Sequence, residues 1–195
     1  APDKPHPEGA ALNLRVELEY AARENKPAMK FCWYDGNRRP ELMTQGKVIV
    51  KGKPQKWGSG VLFVGTKGML LCNYGARHLL PEEQYKDFKA PEQVIPKSIG
   101  HHKEWIAACK GQFKINDPKV HGPWGNGGST TCHFGYSGPL SEAILIGNVA
   151  YRVQKKLQWD GKNIKATNAP EANKMIRESY RDGWGLKGSD ILNLT

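Results

Sequence analysis

Residues 137–160 read SGPLSEAILIGNVAYRVQKKLQWD, and the spacing of their apolar side chains decides the fold of the C-terminal part of the chain. Pro139 suits a first helical position, because its missing N–H costs nothing there. Since Leu145, Ile146 and Val149 are apolar as well, we expect the middle of this helix to be buried under a sheet. The side chains that recur every three or four residues, and so predict the helix, are Leu140, Ala143, Ile144, Gly147, Ala150 and Tyr151.

Two more helices are expected around this one. Upstream, residues 103–110 have helical spacing of apolar side chains. Downstream, Asn168 is a good N-cap, Pro170 falls in the first turn, and Glu171 can reach back as in a capping box. The apolar stripe and the stop of that last helix would be Met175, Ile176, Tyr180 and Gly183.

The N-terminal part of the chain shows strand patterns instead. Residues 12–20 alternate apolar and polar side chains, which predicts a strand with one face in water. Residues 28–34 predict an antiparallel neighbour, and the turn-forming residues DGN follow at positions 35–37. Further short strands are expected at residues 48–50, 60–65 and 69–72, with a hairpin turn between the last two.

These elements predict an α+β fold, with an open, mainly antiparallel sheet that has helices packed on one face. A chain of 195 residues with 38% hydrophobic composition can bury one core, so we expect a single domain over residues 1–195. Within it, residues 1–11 and 187–195 would be flexible tails.

The formal net charge of +10 is a reason to consider a nucleic-acid partner. The basic residues, however, are scattered along the chain and interleaved with acids, without a dense tract or a recognition motif. We therefore expect no nucleic-acid partner. No apolar run approaches the ~20 residues that cross a bilayer, so we expect no membrane association, and the sequence does not distinguish a cytoplasmic from an exported protein.

Four cysteines, at positions 32, 72, 109 and 132, show no CxxC spacing. Three of them have apolar or aromatic neighbours, which is typical of buried free thiols. Cys132, His133 and His121 could in principle hold a metal ion, but their loose spacing is more typical of a loop. We therefore predict no metal site.

A series of short motifs carries a resemblance to one family. The C-terminal members of the series are GPLSE (138–142), IGNVAYR (146–152), KLQWD (156–160), TNAPEA (167–172) and RDGW (181–184). The upstream members are FCWYDGNRRPEL (31–42), SGVLFVGTKGMLLC (59–72), HLLPEE (78–83) and IGHHKEWIAACKG (99–111). In this order they resemble one branch of the glucose-fructose oxidoreductase, inositol dehydrogenase and MocA family, over about residues 14–184.

The resemblance implies an NAD(P)-dependent oxidoreductase that acts on a sugar or glycoside. In that family an N-terminal domain carries the Gly-rich loop for NAD or NADP and a catalytic lysine, and it would precede Ala1. The aspartate and histidine that assist the chemistry would also lie upstream. The present chain would then be the C-terminal part, which binds substrate and forms a homo-oligomer through its sheet. Alone it would be inactive and bind no cofactor.

A GxGxxG match at Gly183, Gly185 and Gly188 does not change this expectation. It follows a predicted helix and leaves only seven residues behind it, whereas a pyrophosphate cradle needs a strand, a turn and a helix. We therefore predict no catalytic and no cofactor-binding residue in this chain.

Two groups of residues are candidates for sugar contacts. His101 and His102 precede the helix at 103–110, so at least one imidazole should lie near its N-terminus, where backbone N–H groups favour oxygen-rich ligands. By the resemblance, that helix packs under the sheet and starts toward the substrate cleft. The other interpretation is one capping histidine and one solvated histidine.

Trp33, Tyr34 and Asp35 form the second group, in which an aromatic face beside a carboxylate could bind a pyranose. The alternative interpretation is a core tryptophan and a turn aspartate. Two other functions also stay open. One is a noncatalytic carbohydrate-binding or dimerisation module. The other is part of an NAD-using glycosidase of the same fold.

Overall fold

A computed structural model describes residues 5–6, 9–92, 97–111, 130–176 and 181. Over these residues, helices combine with small antiparallel sheets, which confirms the predicted α+β class. The strands are distributed over four sheets of two or three strands instead of one broad sheet. Each pairing joins strands that are consecutive in the sequence, so every sheet is a local hairpin or meander.

The packing of the Cα atoms divides the chain into two compact units. Unit 1 comprises Ala1–Leu12, Val16–Trp33 and Gly100–Thr195, and unit 2 comprises Asn13–Arg15 and Tyr34–Ile99. A single domain over residues 1–195 stays a prediction, as do the flexible tails. Residues 187–195 lie outside the described part. In the predicted N-terminal tail, the carbonyl oxygen of His6 accepts a hydrogen bond from Arg152 Nη1 at 3.0 Å.

The first two strands pair with each other as a ribbon. Strand β1 spans Leu14–Tyr20 and β2 spans Met29–Asp35, close to the predicted bounds. Along β1, half-buried and exposed residues alternate, as the sequence pattern predicts. Arg23 and Lys26 close the connection, because each N–H donates to the carbonyl oxygen of the other, at 3.1 and 2.9 Å.

Unit 2 is built from short elements joined by tight turns. They are α1 (Glu41–Thr44), β3 (Ile49–Val50), β4 (Lys53–Pro54), β5 (Val61–Val64), β6 (Met69–Cys72), β7 (Arg77–Leu80) and a 3₁₀ helix (Glu82–Tyr85). Strand β3 pairs antiparallel with β4, and β5, β6 and β7 form an antiparallel sheet in that order. The strands predicted in this region are confirmed. Strand β7 has no predicted counterpart, because RHLL lacks β-branched residues.

The core of unit 2 consists of large aliphatic side chains. Val48, Val50, Leu71 and Leu80 are buried, and parts of α1 and of the sheet pack against them. Burial of such side chains contributes about 1.5–3 kcal/mol each relative to exposure. This cluster is therefore the main source of stability in unit 2.

The other face of the β5–β7 sheet is apolar as well. Phe63 is 56% exposed, and Val61 lies on the same face two residues earlier. The register of the three strands places Leu70, Cys72 and Leu79 on that face too, and it adds one charged residue, Arg77, opposite Cys72. Only one face of this sheet carries the buried cluster of unit 2.

The described elements of unit 1 that follow the ribbon are mainly helical. They are α2 (His101–Cys109), α3 (Phe134–Val153), β8 (Trp159–Asp160), β9 (Lys165–Ala166) and α4 (Pro170–Asn173). Strands β8 and β9 pair antiparallel. The helix predicted at 103–110 is confirmed as α2, which begins two residues earlier.

Helix α3 begins at Phe134, so Pro139 lies inside the helix and the predicted start is wrong. The carbonyl oxygen of His133 closes the extra turn, accepting from the N–H groups of Tyr136 and Ser137 at 3.0 and 2.9 Å. Because these bonds precede Pro139, the missing N–H of the proline does not prevent the turn.

The middle of α3 is also less buried than predicted. Leu145 is 59% exposed, and Gly147 is the one residue of this helix that is buried. The ribbon in unit 1 has only two strands, so it cannot cover the whole circumference of the helix. Where contact exists it is close, since a Cβ built on Gly147 would lie 2.8 Å from Cγ2 of Val16.

Beyond α3, the chain packs around small residues. Ala166, Ala169 and Ala172 are buried, and half-buried apolar side chains of α3 and β8 pack against them. Asn173 bonds both ways to Ala166: its Oδ1 accepts from the backbone N–H at 2.7 Å, and its Nδ2 donates to the carbonyl oxygen at 3.0 Å. Side-chain amides therefore contribute to the packing of this region.

The predicted capping of α4 is wrong in its details. Asn168 does not cap the helix: its Oδ1 accepts from the N–H of Gln158 at 2.7 Å, and its Nδ2 donates to the carbonyl oxygen of Lys156 at 2.9 Å. Ala169 occupies the N-cap position, and Glu171 pairs with Lys155 instead of reaching back. The predicted positions Tyr180 and Gly183 lie outside the described residues.

None of the described helices combines the length and the apolar character that crossing a bilayer requires.

The four cysteines are free thiols, as predicted. Cys109 was expected to be buried and is exposed, because it lies at the solvent-facing end of α2. Cys32 and Cys72 are half-buried.

Candidate functional site

The first turn of α2 presents two imidazole rings to solvent. His101 and His102 are the first two residues of the helix, after the N-cap Gly100. Both are exposed, and their ring centroids lie 4.1 Å apart with planes tilted by 44°. The prediction that an imidazole lies at this N-terminus is confirmed. Neither histidine makes a side-chain capping bond at this end of α2.

A buried carboxylate anchors the same helix. Glu104 is 2% exposed and is the one buried charged residue in the described part of the chain. Its carboxylate accepts from the backbone N–H of Thr131 at 2.9 Å, and from Thr131 Oγ1 at 2.8 and 3.0 Å. Charge-assisted bonds of this kind fix the orientation of an element. The sequence gives no signal of this role, because Thr131 is 27 residues away.

Apolar side chains of α2 face solvent together with the histidines. Trp105 is 68% exposed and Ile106 is 51% exposed. Because His101 precedes Trp105 by four residues and His102 precedes it by three, these three side chains share one side of the helix. The expectation that α2 packs under a sheet does not hold for this side. We call His101, His102 and Trp105 the α2 face.

The second candidate group is divided between two sides of β2. Side chains alternate along a strand, so Trp33 and Asp35 point to one side and Tyr34 to the other. Asp35 Oδ1 accepts from the N–H of Gly36 at 2.7 Å, which is the turn role considered above. The guanidinium carbon of Arg15 lies 5.9 Å from the centre of the Tyr34 ring. Trp33 is partly exposed, not a core residue.

The structure therefore brings together one candidate group and separates the other. His101 and His102 are in ring contact with each other. In the described part of the chain, no ring contact or hydrogen bond links Trp33 to either histidine. Trp105, which lies between the predicted histidines and the end of the helix, is the residue that the sequence reasoning missed. The spacing of residues 101–105, HHKEW, already predicts that Trp105 shares one side of a helix with the two histidines.

A polar cluster in unit 1 connects two of the quoted motifs. Trp159 Nε1 donates to Glu142 Oε1 at 2.6 Å, so the GPLSE and KLQWD motifs are joined. Partial burial, and then the nearby carboxylate of Glu142, raise the pKa of the Tyr20 hydroxyl, while Arg23 opposes this effect. Tyr20 therefore keeps its proton at neutral pH. Trp159 is half-buried and donates this hydrogen bond.

Ion pairs at the surface of unit 1 involve further motif residues. Lys156 Nζ lies 2.7 Å from Glu19 Oε2, and this bond lowers the pKa of the Glu19 carboxyl. Lys155 pairs with Glu171 and lowers the pKa of that carboxyl in the same way. These groups are exposed, so solvent screens both pairs and their role is to orient the chain.

Unit 2 contains one histidine cluster of its own. The His78 ring meets the Trp57 ring edge-on, with centroids 6.0 Å apart. Glu82 Oε1 lies 4.0 Å from His78 Nδ1, and Glu82 Oε2 accepts from the backbone N–H of Lys51 at 2.6 Å. The cluster is half-buried and ties the 3₁₀ helix to the hairpin of β3 and β4.

The start of α2 lacks the features of a pyrophosphate cradle. A pyrophosphate cradle needs a glycine-rich turn between a strand and a helix, whereas α2 follows a coil segment and presents imidazoles at its first turn. The GxGxxG match at 183–188 and His121 lie outside the described residues. Among those described, no group of three or more His, Cys, Asp or Glu side chains could hold a metal ion.

Comparisons of the chain with protein-family models, curated proteins and solved structures found no match. The likeness to the glucose-fructose oxidoreductase family therefore rests on the motif series alone.

Proposed function

We propose that this chain is the substrate-binding and oligomerisation part of an NAD(P)-dependent oxidoreductase that acts on a sugar or glycoside. A separate nucleotide-binding domain would hold the nicotinamide cofactor, and the residues of this chain would bind and orient the sugar. The ordered motif series from residue 31 to residue 184 supports the choice of enzyme class. The chain alone would be inactive.

The α2 face is the observation that carries the sugar-binding role. An indole ring is a large, rigid apolar surface with its own N–H, and it can stack on the C–H face of a pyranose. Imidazole nitrogens can donate to or accept from the hydroxyl groups of the same sugar. Trp105 is 68% exposed, and both histidines are exposed on the same side of the helix.

Pre-organisation of this face supports the proposal further. Binding costs less when the contacting groups are already held in place. The carboxylate of Glu104 holds α2 through Thr131, so the helix carrying the α2 face has a fixed orientation in that contact. A sugar would meet a surface that is ordered before it binds.

The outer face of the β5–β7 sheet supports the oligomerisation role. It presents Val61 and Phe63, together with Leu70, Cys72 and Leu79, with Arg77 at the end of β7, and Phe63 is more than half exposed. Contiguous apolar surface of this kind is typical of protein interfaces. Analytical ultracentrifugation should therefore detect an oligomer, and Phe63→Ser should shift the population toward the monomer.

Calorimetric titration of the chain with monosaccharides and methyl glycosides tests the sugar site. We expect Trp105→Ala to weaken binding about tenfold, because one stacking ring is lost, and Trp105→Phe to retain most of the affinity. Ile106→Ala, at the next position, where the side chain is also more than half exposed, is the matched control and should bind like the parent chain. Equal affinity of Trp105→Ala and the parent would remove the α2 face from the site.

A dehydrogenase assay separates this function from its main alternative. A noncatalytic carbohydrate-binding module is favoured by the same α2 face, because stacking surfaces serve binding modules equally well. The gene product that includes a nucleotide-binding domain should form NADH or NADPH when the bound sugar is added. Sugar binding without any reduced nicotinamide would establish the module, and release of an aglycone would indicate an NAD-using glycosidase.

A further inference from the structure

Residues 47–56 of unit 2, KVIVKGKPQK, form a hairpin that carries four lysines and no acidic residue. We call it the lysine hairpin. Its strands are β3 and β4, with Val50 opposite Lys53. The turn consists of Lys51 and Gly52, both with positive φ, at 51° and 73°. Two consecutive left-handed residues are typical of a type I′ turn, which matches the twist of the strands it joins.

Contacts on several sides hold the lysine hairpin in place. Val48 and Val50 are buried in the core of unit 2, so one face of β3 is anchored. The N–H of Gln55 donates to the carbonyl oxygen of Val48 at 2.8 Å, closing the base of the hairpin. At the tip, the carboxylate of Glu82 accepts from the backbone N–H of Lys51 at 2.6 Å.

The four ammonium groups of this hairpin are available to a partner. Lys47, Lys51, Lys53 and Lys56 are all exposed. Their Nζ atoms take part in none of the ion pairs or side-chain hydrogen bonds formed by the residues that the structure describes. Glu82 is the nearest acid with a defined contact, and it is already engaged by the backbone of Lys51. The surface therefore carries a concentrated positive charge on an ordered support.

We propose that the lysine hairpin docks an anionic polysaccharide that carries carboxylate or sulfate groups. Lysine ammonium groups are compact point charges that attract anionic oxygen atoms without the fixed geometry of an arginine fork, and this hairpin contains no arginine, so it suits anionic groups repeated along a polymer. This surface does not depend on the α2 face or on the proposed enzyme class.

Two other polyanions fit the surroundings of the hairpin less well. Single-stranded nucleic acids use exposed aromatic rings on which bases stack. Trp57, the aromatic residue next to the hairpin, is half-buried, and its N–H donates to Gln55 Oε1 at 3.0 Å. Lipid surfaces are bound by basic residues together with several large apolar side chains. Ile49 is the one large apolar side chain that is exposed between residues 47 and 56.

Binding to five probes tests the proposal: four soluble polymers, and vesicles that contain phosphatidylserine. Heparin and polygalacturonate supply sulfate and carboxylate groups on a polysaccharide, dextran is the neutral control, and oligothymidylate supplies a phosphate backbone. The chain should bind the two anionic polysaccharides, with an affinity that falls as sodium chloride is raised. It should not bind dextran, and it should bind oligothymidylate more weakly.

Matched triple variants locate the interaction. Lys51→Gln/Lys53→Gln/Lys56→Gln should weaken heparin binding about tenfold, as expected for three exposed ion pairs. Lys26→Gln/Lys162→Gln/Lys174→Gln removes the same charge from exposed positions of unit 1 and should change the affinity by less than about twofold. Melting temperatures should stay unchanged in both variants, because all six side chains are exposed.

Three outcomes would overturn the proposal. Equal losses in the two triple variants would mean that net charge alone attracts the polyanion. Tighter binding of oligothymidylate than of either polysaccharide, lost in the hairpin variant, would assign the surface to nucleic acid. Binding of phosphatidylserine vesicles in place of the polysaccharides would assign it to a membrane. If Trp105→Ala does not affect the binding of neutral sugars, the proposed sugar site is wrong, but the test of the lysine hairpin is unaffected.

Discussion

The core of unit 2 and the C-terminal block of unit 1, residues 134–176, are stabilised in different ways. In unit 2, large aliphatic side chains such as Leu71 and Leu80 are fully buried. In the C-terminal block the buried residues are small, and polar side chains bond to the backbone around them. The first region depends on apolar volume, and the second depends on individual hydrogen bonds.

This difference changes how the motif series is interpreted. Glu142 and Trp159 bond to each other, Asn168 joins two parts of the backbone, and Glu171 pairs with Lys155. All four are motif residues, and each has a structural role in the C-terminal block. A motif can therefore be specific to a fold without marking the site where a ligand binds.

The largest effect is expected in the core of unit 2. Leu71→Ala should lower the free energy of unfolding by about 2–5 kcal/mol, because it leaves a cavity among well-packed aliphatic side chains. Phe63→Ala, on the outer face of the same sheet, should cost less than about 1 kcal/mol because its ring is largely exposed. Urea denaturation measures both. Equal losses of unfolding free energy in the two variants would contradict the conclusion that unit 2 depends on buried apolar volume.

The next effect concerns the close contact between α3 and β1. Gly147→Ala should destabilise unit 1 by about 1–3 kcal/mol, because the new Cβ would lie 2.8 Å from Cγ2 of Val16. Gly58→Ala in unit 2 is the matched control, since no atom lies within 4 Å of the Cβ position there. Thermal unfolding compares the two. A neutral Gly147→Ala would show that the contact can relax freely.

A smaller effect is expected from the indole hydrogen bonds. Trp159→Phe should cost about 1–2 kcal/mol, because the carboxylate of Glu142 loses an N–H donor at 2.6 Å. Trp57→Phe in unit 2 removes a bond to the neutral amide of Gln55 and should cost less. Denaturant titration of both variants sharpens the comparison. A larger loss for Trp57→Phe would contradict the greater dependence of the C-terminal block on polar bonds.

The smallest expected effect is a dependence of the melting temperature on pH in the acidic range. Hydrogen bonds from the Asn163 side chain, and then from its backbone, lower the pKa of Asp160. A carboxyl with a lowered folded pKa stabilises the fold above about pH 4, and this contribution is lost as the pH falls through the folded pKa. The melting temperature of Asp160→Asn should therefore approach that of the parent chain in acid.

Asn163→Ala, which removes the side-chain donor, should show the same convergence with the parent chain. Differential scanning calorimetry from about pH 6 to pH 2 covers this window. A gap between the parent and Asp160→Asn that stays constant over that range would exclude Asp160 as a source of acid sensitivity.

Local patterns in the sequence predict the elements of this fold well. The alternation of residues 12–20 gives β1, and apolar spacing gives α2 and α3. The start of α3 is missed because it depends on bonds to the carbonyl oxygen of His133. The cap of α4 is missed because the Asn168 amide bonds to residues more than nine positions away. Such partners cannot be recognised from spacing.

The candidate site was predicted only in part for the same reason. The histidines at the start of α2 follow from helix periodicity, whereas Glu104 is buried through a partner 27 residues later. Trp33, Tyr34 and Asp35 are adjacent in the sequence, yet the alternation of a strand sends them to opposite sides. Applying that alternation to β2 would have separated them in advance.

The side-chain amide of Asn173 makes the C-terminal block sensitive to slow hydrolysis. Asparagine hydrolyses slowly to aspartate, and here the hydrolysis would replace a donor to the Ala166 carbonyl oxygen by an acceptor. One bond would become a repulsion between two oxygen atoms, while the bond from the Ala166 N–H would persist. Deamidation at this single position would therefore loosen the link between β9 and α4 in aged protein.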